Sequence, residues 1–144
     1  MIDCRHNNKQ GGNKMGDRTN TVFRMADGSD VVLYQHWGGH EMMNNLATAL
    51  DVARPRWHDE AYCTRIMISQ LIGEYWNQEL SFGISTYIMD NEHSVPVIDF
   101  SDNTVALYDY EWEVGSGKCL LKDQKFKMNF DSFVKKFKKV LTTV

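Results

Sequence analysis

The densest set of chemically capable side chains runs from Tyr34 to Glu41, reading Tyr-Gln-His-Trp-Gly-Gly-His-Glu. His36 stands near the end of a strand-like pattern, Gly38 and Gly39 follow, and a helix-like pattern then begins. Backbone amides at such a corner can approach an anion closely, and the helix dipole favours negative charge there. A phosphate or carboxylate would suit it. The stretch has neither the Lys-Ser/Thr ending of a P-loop nor a Gly-x-Gly-x-x-Gly, and Glu41 at the helix start would repel an anion. Two glycines also turn a corner without any ligand.

Metal chemistry has good ligand types in His36, His40, His93, Glu92, Asp90 and Cys63. His36 and His40 are four apart, but that spacing joins two histidines only on a helix, and here a strand and a Gly-Gly corner intervene. With no His-Glu-x-x-His or Cys-x-x-Cys, no metal and no cofactor are expected.

Acid–base or nucleophilic chemistry could draw on Asp90, Glu92 and His93 in one inter-strand loop, with Ser85 and Thr86 before it. No Gly-x-Ser-x-Gly surrounds Ser85, and the same loop reads equally as an Asp90-Asn91 turn with a solvated Glu92 and His93. A last group, Arg54, Arg56, Asp59 and Arg65 beside Trp57 and Tyr62, has the composition that holds planar or phosphorylated ligands. Surface ion pairs worth little are its other reading.

These residues must be positioned by a single domain. The 144 residues suffice to bury one core. Thr21 to Met25 and Val31 to Trp37 read as a β-hairpin turning at Ala26-Asp27-Gly28-Ser29. On the second strand Val32, Tyr34 and His36 share one face and Val31, Leu33, Gln35 and Trp37 the other, so both faces are partly apolar. Met43, Leu46, Ala47 and Leu50 predict a helix over about 41–53. Asp59 or His58 caps a second, extending to about Trp76, with an apolar stripe wide enough for two contacts. Phe82 to Met89, Val95 to Phe100 and Thr104 to Trp112 read as an antiparallel meander, and Cys119 to Lys122 as a short edge strand. Phe130, Phe133, Val134, Phe137, Val140 and Leu141 form the clearest helical stripe, N-capped by Asn129, with Met128 and Phe133 as its hydrophobic staple.

The expected fold is therefore α+β: one domain over 20–144, a mainly antiparallel sheet built from the hairpin and the meander, covered by two central helices and a C-terminal amphipathic helix. Residues 1–19, polar and glycine-rich, are expected to be a disordered tail, and translation could start at Met1 or Met15. Cys4, Cys63 and Cys119 lack short spacing and fit reduced thiols. No apolar run approaches the roughly 18 residues of a membrane span, and nothing near Met1 resembles a secretory signal. The expected location is the cytosol of the cell in which it is made, away from membranes.

Charge is uneven. Seven acids and no Lys or Arg lie between Asp90 and Glu113, and eight lysines lie between Lys118 and Val144, for a net charge of −3. The lysine helix presents no Arg or aromatic residue on its polar face, so direct nucleic-acid binding is not expected. The acidic strands could mimic a phosphate backbone.

Four segments, Tyr34-Gln35-His36-Trp37-Gly38-Gly39, Arg56-Trp57-His58-Asp59, Gly83-Ile84-Ser85-Thr86 and Asp90-Asn91-Glu92-His93, together resemble a group of small bacteriophage and prophage proteins of unassigned activity. The resemblance covers about residues 21–110 and implies a protein that inhibits or sequesters host factors, including those of defence, without transferring an activity. The leading expectation is thus a non-enzymatic binding protein. Its partner is a host protein or a nucleotide-like ligand, held by Tyr34, His36, Gly38, Gly39, His40, Arg56, Asp59, Arg65, Asp90, Glu92 and His93. The alternatives are a small hydrolase of phosphorylated or nucleotide substrates with His36 or His93 as acid or base, and an acidic DNA mimic that inhibits a nucleic-acid enzyme. Homo-oligomerisation stays open.

Overall fold

The computed structural model describes residues 16–139. It is an α+β domain with one mixed sheet and three α-helices: β1 (Thr19–Arg24), β2 (Asp30–Gln35), α1 (Met42–Val52), α2 (Glu60–Ile72), β3 (Phe82–Ser85), β4 (Val95–Asp99), β5 (Thr104–Trp112), β6 (Cys119–Asn129) and α3 (Phe130–Phe137). Cys4, the Met15 start, most of the expected tail and Val140 and Leu141, expected on the C-terminal helical stripe, lie outside the described residues, and α3 itself ends at Phe137, where Lys138 turns extended. No helix among the described residues is long and apolar enough to cross a membrane.

The hairpin forms as its turn chemistry requires. Gly28 takes φ +90, a conformation open to glycine at no steric cost, and Asp27 Oδ1 accepts from the Ser29 amide at 2.9 Å. The strand starts earlier than composition indicated, because residues 16–19, assigned to the tail, are packed. Arg18 is 2% exposed and Thr19 fully buried.

Strand order is β3-β2-β1-β4-β5-β6. β1 and β4 run parallel and every other pairing is antiparallel. This corrects the expected meander, which is β4-β5-β6 and not 82–89, 95–100 and 104–112. β3 instead extends the hairpin on its far side, pairing Leu33 with Ile84 and Tyr34 with Gly83. The connection 86–94 can reach about 30 Å when extended, ample for the roughly 14 Å spanned by three strand spacings. Residue alternation identifies strands but does not choose their neighbours. The expected four-residue edge strand is also longer, since Cys119–Asn129 pairs along all of β5 with register shifts near Tyr108.

Alternation divides the sheet into two apolar faces. One, with Phe23, Leu33, Ile98 and Val105, packs under Leu46 and Leu50 of α1, Cys63 and Met67 of α2, and Phe130, Phe133 and Val134 of α3. Burying each large side chain there contributes about 1.5–3 kcal/mol. The other face carries Val22, Val32, Val95 and Val97, against which Ile88, Tyr108, Tyr110 and Leu121 pack. No helix covers it.

The helix ends follow local chemistry. Asp59 accepts from the Tyr62 amide and Asn129 from the Ser132 amide, so both expected caps are in place. The second helix is shorter than expected. It stops at Ile72, where Gly73 takes φ +58, and a 3-10 turn follows over Gly73–Tyr75. Tyr75 and Trp76, at the end of the expected helix, are exposed.

The charge asymmetry resolves across strands. Lys122 pairs with Glu111, Lys125 with Asp109 and Lys127 with Asp102, while Lys138 and Lys139 of the C-terminal segment reach Asp51 and Glu41. Exposed pairs like these contribute little individually, but they locally offset the acidic and basic runs.

Candidate functional site

Asp17 organises the end of the sheet where β1 starts and β2 finishes. Its amide donates to the His36 carbonyl at 2.8 Å and its carbonyl accepts from Gly39 N at 3.0 Å. The backbone is thereby fixed between the strand end and the Gly-Gly corner. Its carboxylate then receives three donors: His40 N at 2.8 Å and His40 Nδ1 at 2.6 Å on Oδ2, and His93 Nε2 at 2.6 Å on Oδ1. Burial by itself would raise this carboxyl's pKa, but the His40 amide and the two imidazole bonds outweigh it and hold the group far below the ordinary carboxylate range. As an acceptor on both sides, Asp17 implies His40 protonated at Nδ1 and His93 at Nε2. The His40 side chain is 70% exposed, whereas Asp17 and His93 are 18% and 22% exposed.

Glycines make room for the histidines. A Cβ on Gly39 would stand 2.3 Å from the His93 ring, and one on Gly16, at φ +105, 2.7 Å from His36 Nε2. The Gly-Gly corner thus admits His93 and turns the chain through Gly38 at φ +93. That is a different use from the anion cradle considered from sequence.

The loop 86–94 brings Glu92 and His93 into place. Glu92 N donates to the Arg18 carbonyl at 3.1 Å, and Arg18 N donates to Glu92 Oε1 at 2.9 Å. Asn20 clamps the loop, donating to the Asp90 carbonyl at 2.9 Å and accepting from Met89 N at 3.2 Å, and Tyr110 Oη donates to the Asn91 carbonyl at 3.0 Å. Beneath it lies the Arg18 side chain, with Nε 3.2 Å from Glu92 Oε1 but without hydrogen-bond alignment. Tyr34 Oη is 3.0 Å from His36 Nδ1. Burial and then the Arg18 charge lower the His36 pKa, opposed by Glu92 and Asp90.

Of the residues expected to share one ligand site, Tyr34, His36, Gly38, Gly39, His40, Asp90, Glu92 and His93 gather at this end. Arg56, Asp59 and Arg65 do not. Arg56 stacks over Tyr62 at 4.9 Å, Asp59 caps α2, and Arg65 donates to Ser69 Oγ on the same helix. Asp59 lines a separate cleft with Phe100 to Asn103, by the β4–β5 turn. The single site expected from sequence therefore divides in two. The physical reason is α1, which starts at the Gly-Gly corner and carries the chain about 16 Å away over its 11 residues. Cys63, considered as a ligand type, is buried in the core, where desolvation pushes its thiol up to about 12.

Asp17, Arg18 and Asn20 were missed. Asp17 and Arg18 fall in a polar stretch with no periodicity to mark them, and no sequence signal distinguishes Asp17 from the acids and amides around it.

Beside the loop 86–94, on the sheet face away from the helices, lies an open groove of about 1120 Å³. Val22, Val32 and Tyr108 contribute to its lining from the sheet, residues Thr86 to Asp90 from the loop, and Ser116 to Leu121 from the β5–β6 connection and β6. The Arg24–Asp30 pair, bidentate at 2.9 and 3.1 Å, also lines it. Trp112 and Tyr87 are 38% and 65% exposed there. The loop 86–94 thus joins the two places: its first half lines the groove and its second half supplies Glu92 and His93 to the Asp17 cluster. Comparison of the chain with protein-family models, with curated proteins and with solved structures returned no match.

Proposed function

We propose that this is a non-enzymatic, phage-encoded binding protein that sequesters a nucleotide-like ligand in the groove on the sheet face away from the helices. The observation that carries the reading is the groove itself. It combines apolar side chains, two partly exposed aromatic rings and the Arg24–Asp30 pair, the composition that suits a planar polar molecule. The phage origin rests on the resemblance of the four segments. Native mass spectrometry of the protein purified from infected cells should show a retained small molecule, lost on Trp112→Ala. If no small molecule is retained under any condition, the reading fails.

A hydrolase is the second reading, favoured by one arrangement. Asp17 orients His40 through Nδ1 and leaves an exposed imidazole edge of the kind a general base requires. A turnover screen on nucleotides with His36→Ala, His40→Ala and His93→Ala separates the two. Product formation abolished by one of these changes would favour the enzyme.

A further inference from the structure

We propose that Asp17, His40 and His93 form a binding site for one divalent transition-metal ion of the zinc class. The inference is independent of what the groove holds. One ligand atom from each residue lies within 4.8 Å of the others. Two imidazoles and one carboxylate are a donor set that suits zinc, cobalt or nickel, whereas magnesium and calcium favour all-oxygen sites.

The three donors come from separate segments, so their convergence is not a consequence of local spacing. Asp17 precedes β1, His40 belongs to the turn after β2, and His93 ends the loop that crosses the sheet. Each is held by at least one contact that does not involve a metal. The Asp17 backbone is bonded to His36 and Gly39, His40 is anchored by its amide on Asp17 Oδ2, and the missing Cβ of Gly39 admits the His93 ring. Zinc bonds of roughly 2.0–2.1 Å in a tetrahedron place neighbouring donor atoms about 3.3 Å apart. Asp17 Oδ2 sits 2.6 Å from His40 Nδ1 and Oδ1 2.6 Å from His93 Nε2. An ion would therefore replace these two hydrogen bonds, with each ring proton moving to the other ring nitrogen or to solvent, and open each contact outward by roughly 0.7 Å. The exposed His40 ring gives the ion a path from solvent, and three protein ligands leave a fourth position for water or a donor from a bound partner.

The test is titration of the full chain with Co2+ and Zn2+, followed by calorimetry, the cobalt absorption bands and the imidazole NMR signals. The expected result is one ion per chain, a tetrahedral cobalt spectrum, and selective shifts of His40 and His93. His40→Ala removes an exposed side chain and should leave the circular dichroism unchanged while weakening binding by at least about tenfold. Loss of mere outer-sphere support already costs about that much. His93→Ala should do the same, and a matched His58→Ala control should not. Absence of saturable binding would overturn the proposal. So would an affinity that both His40→Ala and His93→Ala leave unchanged, because the ion would then sit elsewhere.

Discussion

Gly39 lies so close to His93 that a Cβ on it would fall 2.3 Å from the imidazole and 2.8 Å from the Asp17 carbonyl. The contact makes the glycine part of the histidine's seat. Gly39→Ala should destabilise the fold by about 1–3 kcal/mol through overpacking, read by urea unfolding, and should move the His93 imidazole resonances. Gly38→Ala should also cost about 1–2 kcal/mol, because Gly38 holds φ +93. Its nearest side-chain atom is 4.0 Å away, so the His93 resonances should stay in place. Adding His93→Ala to Gly39→Ala should cost less than the sum of the two, since removing the ring relieves the clash.

His36 should titrate below the ordinary histidine value of about 6.5. Burial leads this shift and the Arg18 charge adds to it, against the opposing Glu92 and Asp90. Between the folded and unfolded values the unfolded chain binds more protons, so stability rises with pH through that window. The contribution is complete above about pH 6.5 and is lost as pH falls through the folded value. NMR titration of the ring should show the lowered midpoint. Urea unfolding between pH 5 and 7.5 should show a slope that His36→Gln reduces.

The packing of α3 separates a cap from a core residue. Asn129→Ala removes the acceptor for Ser132 N and should cost about 1 kcal/mol. Phe133→Ala leaves a cavity among Phe126, Phe137 and the rest of the core and should cost about 3–5 kcal/mol. Thermal and denaturant unfolding of the two variants checks the ratio.

Cys63 and Cys119 should both resist alkylation at pH 8 in the folded protein. Burial pushes their thiols up to about 12 and about 11, so little thiolate exists to react. Peptide mapping after iodoacetamide treatment should find Cys63, which is fully buried, modified only once denaturant is added.

Periodicity and turn chemistry located the hairpin, α1, the Asp59 and Asn129 caps, and the amphipathic α3, because each depends on residues a few positions apart. The double-sided apolar character of β2 was legible in Val32 and Leu33, and the structure uses both faces. Strand order was not legible. That β4 lies parallel to β1, and that β3 joins β2, depends on which edges the connection 86–94 can bridge, and its mixed composition, with Tyr87, Ile88 and Met89 ahead of the polar residues Asp90 to Ser94, is compatible with several.

The candidate site divides the same way. The sequence alone determined that Tyr34 to Glu41 is a strand-to-helix corner rich in side chains able to do chemistry. Only the tertiary structure decided what stands beside it. Arg56, Asp59 and Arg65 are carried off by a rigid helix, while Asp17 and His93, 76 residues apart, meet on one carboxylate. Local spacing fixes which face of an element a residue occupies. A hydrogen bond between segments so distant in the chain is set by the sheet that holds both of them.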